Sequence, residues 1–142
     1  VTFPSIKSTR PYGDGVAAGK LLLARWFPEL ADEQDGTFHV GRVFPNDRNL
    51  IDILPFVRIR DIGGNDNGLS DRQLIDFDFF HKTYREVREL ADEARTRLLS
   101  YPHVAGSTVI DQVSTAMRPH DVPWDDDRIY RQYSSFTFSV RR

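Results

Sequence analysis

Pro55–Gly64 reads PFVRIRDIGG, Leu69–Phe80 reads LSDRQLIDFDFF, and His81–Leu99 reads HKTYREVRELADEARTRLL. In the first segment Val57 and Ile59 fall on one face while Arg58 and Arg60 fall on the other. In the second, Ile75, Phe77 and Phe79 oppose Asp76 and Asp78. Strict period two predicts strands with one face on a core and the other on water or a partner. The third segment changes period. Val87, Leu90, Ala91, Ala94 and Leu98 recur at i, i+3, i+4, i+7 and i+11, the buried stripe of an amphipathic helix.

Working outward, Val1–Gly13 carries Pro4, Pro11 and Gly13 and reads as an extended N-terminal arm. Asp14 is an N-cap for a helix that Pro28 stops after Phe27, with Val16, Leu22, Leu23 and Phe27 along one side and Trp26 near its end. Ala31–Gly36 reads as an acidic turn, Thr37–Phe44 as a first strand ended by Pro45-Asn46-Asp47, and Leu54–Ile62 as a second. Gly63–Asp71 and Pro119–Asp127 read as polar loops, the first mobile or ordered only by a partner, the second with Trp124 exposed on it or tucked beneath it. Pro102–Gly106 connects to a fourth strand, Thr108–Arg118, on which Val109, Val113 and Met117 share a face with Asp111 and Thr115. The last strand, Ile129–Arg141, sets Phe136, Phe138 and Val140 against Thr137, Ser139 and Arg141. The order α-β-β-β-α-β-β predicts one α+β domain over residues 1–142: a mixed or antiparallel sheet of about five strands covered by two main helices.

At 142 residues the chain is long enough for one core without staples. Cysteine is absent, which excludes thiol nucleophiles, disulfides and thiolate metal sites. A formal charge of -2 supplies no global field for nucleic acid or anionic membrane. Leu21–Ala24 is too short an aliphatic run for a signal segment or a membrane span, so assembly in the cytoplasm is the expectation.

Several chemistries are weighed and set aside. Gly13–Lys20 (GDGVAAGK) superficially suggests a phosphate loop, but Asp14 stands where the first glycine belongs and Leu21 follows the lysine. A helix start with small residues fits it better. Asp76, Asp78 and His81 form a D-x-D-x-x-H cluster whose carboxylates share a face about 7 Å apart by strand rise. A metal-dependent enzyme built on them is the third-ranked alternative, lacking a further ligand set, and no functional metal or cofactor is expected. Asp125-Asp126-Asp127 lacks the spacing of a calcium loop, the four histidines are scattered, and no G-x-S-x-G elbow is present. Arg58 and Arg60, with acidic residues nearby, point to protein–protein ion pairs rather than to a phosphate backbone. Pairs such as Glu93/Arg97 and Arg88/Asp92 read as an ordinary solvated helix surface.

The strand ending VRIRDIGG, the LIDFDFF strand and the HKTYREVRELADEARTRLL helix, with the closing SSFTFSVRR, resemble the tail terminator proteins of long-tailed bacteriophages over about two thirds of the chain. In that family an apolar-Asp-apolar strand leads into a helix with spaced alanines, which Asp76, Ala91 and Ala94 fit. The resemblance implies a non-enzymatic virion subunit, assembled in the host cytoplasm, in a ring that is hexameric in the family. Such a ring caps the tail tube, ends its growth, meets the head connector, and lets DNA pass through its lumen without sequence-specific binding. A head–tail connector or neck adaptor is the nearest alternative, and a non-ring binding domain another. Arg58, Arg60, Asp76, Asp78, Gly63, Gly64, Trp124 and Arg141 are the expected interface residues.

Overall fold

The computed structural model describes residues 13–31, 39–45, 49–66 and 70–141, so the expected arm lies outside the described residues apart from Gly13. Two helices, α1 (Gly15–Trp26) and α2 (Tyr84–Leu98), cover one face of a six-stranded sheet. The strands are β1 (Val40–Gly41), β2 (Phe56–Asp66), β3 (Ser70–His81), β4 (His103–Ala105), β5 (Thr108–Asp121) and β6 (Tyr130–Arg141), in spatial order β1-β2-β3-β6-β5-β4. The β1/β2 pair is parallel and the other ladders antiparallel, so the sheet is mixed.

α1 begins where Asp14 accepts hydrogen bonds from the Val16 and Ala17 amides, which satisfies two of the free N–H groups of a first turn. Gln73 Oε1 accepts from the Gly15 amide at 2.7 Å, tying the helix start to β3. Gly19 lets the helix lie close to the sheet, because a Cβ there would stand 2.6 Å from Ile59 Cδ1. The supposed phosphate loop is thus a capped helix packed onto a strand. α2 starts at the N-cap Thr83, whose Oγ1 accepts from the Glu86 amide and donates to the Glu86 carboxylate.

The helices bury Val57, Ile59, Ile75, Phe77, Phe79, Phe136, Phe138 and Val140 beneath Leu22, Leu23, Val87, Leu90, Ala91, Ala94 and Leu98. Phe77 lies at the centre, edge-on to Phe136 at 5.5 Å and stacked on Phe79 at 6.0 Å. A second cluster forms at one end of the opposite face, where Phe56, Phe80, Ile53 and Ile129 gather with Phe44 and Trp124.

Four expectations are corrected. The first strand is confined to Val40–Gly41 among the described residues, short of Thr37–Phe44. β2 and β3 continue through most of Gly63–Asp71, so the expected loop is largely hairpin: Gly63 pairs with Leu74 and Asp66 with Asp71. β4 lies inside the segment expected to be a connection, which makes the strands six. β5 likewise runs through Pro119–Asp121, and its register shifts change which side chains point inward. Ile110 and Val113 are buried while Met117 is exposed, because each bulge moves the alternation by one residue.

Candidate interface on the polar face of the sheet

The alternation that buries Phe77 and Phe79 sends Asp76 and Asp78 to the opposite face, where the β2/β3 register sets Arg58 across from Asp78 and Arg60 across from Asp76. β6 adds Arg131 and Tyr133 on the same side. Asp78 is wholly buried and is gripped from both neighbouring strands. Arg58 donates to its Oδ2 through Nε at 3.1 Å and Nη2 at 2.8 Å, and Arg131 Nε donates to Oδ1 at 2.8 Å. Asp76 accepts from the Tyr133 hydroxyl at 2.6 Å and lies 3.4 Å from Arg60 Nη2. Burial, then the hydrogen bond to Asp76, pushes the Tyr133 phenol up to about 12, so it remains a donor across the neutral range.

The network runs into the second aromatic cluster. The Arg58 guanidinium lies 4.9 Å from the Phe44 ring centre, and that of Arg131 lies 5.5 Å from Trp124. Trp124 meets Phe80 edge-on at 4.9 Å, which answers whether it is exposed or tucked beneath its loop: it is tucked.

The expected interface residues are therefore not alike. Arg58 and Arg60, expected to form ion pairs with another protein, have carboxylate partners within the chain. Asp76 and Asp78 are buried and hold those arginines in place. Arg60 is the more open, with a side chain 41% exposed and its Nε lacking a hydrogen-bond partner. Gly63 and Gly64 stand on the exposed outer part of the hairpin, both at positive φ beside a register shift. Arg141 is exposed and paired with Asp111 across the β5/β6 ladder. Arg131 and Tyr133 were missed, although their period-two spacing on the last strand was a usable signal.

The D-x-D-x-x-H cluster is not brought together. His81 is an odd number of residues from both aspartates, which puts it on the helix-covered face, beside Glu86 at 3.2 Å. Burial lowers its pKa, outweighing the Glu86 carboxylate that raises it. The oxygens of Asp76 and Asp78 meanwhile serve arginines and a tyrosine. Among the described residues no group of three or more His, Asp or Glu side chains is placed to hold a metal. No described helix is long and apolar enough to cross a membrane.

The architecture has a counterpart among solved structures. A chain in the solved structure "Virion of native gene transfer agent (GTA) particle" superposes with a TM-score of 0.57 at 12% identity, covering 89% of this chain and 98% of that one. No protein-family model matches the sequence. No curated protein matches it either.

Proposed function

We propose that this chain is a structural virion subunit that assembles into a ring, hexameric by the family resemblance, at the end of a phage-type tail tube. There it ends polymerisation and joins the tail to the head connector, with DNA passing through the lumen. The observation that carries this reading is a fold shared, over nearly the whole of both chains, with a component of a gene transfer agent virion. The sequence resemblance to tail terminators supplies the finer role.

The surface supports the same reading. A tube grows because each ring offers the next an equivalent surface, and a terminator must present one side of that contact without the other. The outer β2/β3 hairpin, with Gly63 and Gly64 at its bulge, the exposed Arg141 and the part-exposed Arg60 are available to neighbours, while Asp76 and Asp78 hold the arginine face in shape.

Deletion of the gene tests the role. Particles lacking the protein should accumulate tails that are unattached and of excessive or variable length under the electron microscope. Tails of normal length joined to heads would overturn the proposal. Tails of normal length left unattached would replace it with the connector role.

A further inference from the structure

Two regions of opposite net charge lie on opposite faces of the sheet, and neither is fully neutralised among the described residues. Between α2 and the far end of β5 is a cleft of about 340 Å³ lined by Arg88, Asp92, Arg95, Arg118, Asp121 and Gln132. Arg88 lies 3.8 Å from Asp92, and Gln132 donates to Asp121. That leaves Arg95 and Arg118, whose guanidiniums have no hydrogen bond or ion pair among the described residues. Arg95 Nε is moreover shut away from solvent with no acceptor. A buried donor without an acceptor is costly, and a guanidinium fork is shaped to receive a carboxylate or a phosphate.

The connection from β5 to β6 carries Asp125, Asp126 and Asp127, which with Asp52 line an open depression of about 780 Å³. Among the described residues only Asp126 of these four has a side-chain ion-pair partner, Arg128 at 2.8 Å, which lines the same depression. Asp52, Asp125 and Asp127 are exposed. The flanking Trp124 and Ile129 pack with Phe80, which puts this turn on the face opposite α2. One chain cannot close its own cleft with its own turn. A second copy, placed head to tail, brings the two together, and repetition of such a contact builds a ring.

Building on the ring reading above, we propose that Arg95 and Arg118 of one copy receive the carboxylates of Asp125 and Asp127 of the next. A pair of carboxylates on one turn matches the two unpaired guanidiniums better than a nucleic-acid backbone does, because a longer run of phosphates would meet the acidic walls at Asp92 and Asp121 repeatedly.

Sedimentation velocity of the full chain over a range of protein and salt concentrations tests this. The wild type should associate, and less so as salt rises. Arg95→Glu with Arg118→Glu should weaken association at least tenfold, as should Asp125→Arg with Asp127→Arg, with circular dichroism unchanged. Arg118→Glu alone, at an exposed site, should weaken it in the same direction if the half-buried Arg95 proves needed for folding. A chain carrying all four substitutions, or an equimolar mixture of the two double variants, should associate again. Failure of that recovery overturns the pairing. Variants that associate like the wild type overturn it too, while leaving the ring reading intact. A wild type monomeric at every concentration overturns both. Loss of binding to a labelled DNA duplex, with association unchanged, would reassign the cleft to phosphate.

Discussion

Replacing Asp78 by Asn removes one charge from the centre of the polar face while keeping the shape of the side chain. The carboxylate is fully buried, and its two closest guanidiniums, Arg58 and Arg131, have side chains only 19% and 16% exposed. Removing one partner of a buried ion pair destabilises by about 3–5 kcal/mol, because the remaining charge stays desolvated. Here both arginines retain a route to water, and Arg60 lies 3.6 Å away to share the strain, so the lower limit applies: about 3 kcal/mol. For a chain of this size that corresponds to a fall of about 6–12 °C in Tm. Urea unfolding followed by tryptophan fluorescence measures it directly, since Trp124 stacks beside Arg131 and reports on the same network. Glu93→Gln is the control: it breaks the exposed Arg97 pair and should cost about 0.5 kcal/mol or less. A loss below about 1 kcal/mol for Asp78→Asn would refute the reasoning, because it is what a solvated rim pair costs.

Gly64→Ala should destabilise the outer hairpin far more than Gly63→Ala: at φ +139° its Cβ would stand 1.8 Å from the Arg72 carbonyl oxygen, whereas Gly63, also at positive φ, has open space. Hydrogen exchange should show lost protection at Arg72–Leu74 with the core unchanged, and equal protection in both variants would refute this. Tyr133 adds a pH dependence. Its phenol is raised to about 12 against 10.0 for an ordinary tyrosine, so its stabilisation is complete below pH 10 and drains away as pH climbs through 12. Tyr133→Phe should remove that part of the alkaline loss; an ultraviolet titration in which all five tyrosines ionise together near pH 10 would contradict it.

The main layer was legible because its signals are local. Val57/Ile59, Ile75/Phe77/Phe79 and the Val87–Leu98 stripe each carry their own period, and Asp14 and Pro28 bracket α1. The hairpin beyond Asp61 was not legible, since Gly-Gly-Asn-Asp reads as a turn, whereas a ladder needs only backbone partners and the bulge absorbs the glycines. β5 misled for the opposite reason: its pattern looks regular, but the register shifts rotate Met117 outward. The polar network was half visible. Alternating charges on β2 and β3 can be read from sequence, yet pairing Arg58 with Asp78 requires the register, and Arg131 arrives from 53 residues further along. The arginine cleft was read as a solvated helix face, although Arg95 has Ala91 and Leu99 at its i±4 positions, where a helical ion pair needs a carboxylate.

Because α1 and α2 lie on the same side of the sheet, the chain covers its own main apolar layer, and in the proposed ring each copy would meet its neighbours through hydrogen-bonding and charged groups such as those of the polar face. Joints made from such groups are individually weak and reversible, so a misplaced copy can leave before the structure locks around it. Sealing the core within each copy thus gives an assembling particle a means of proofreading.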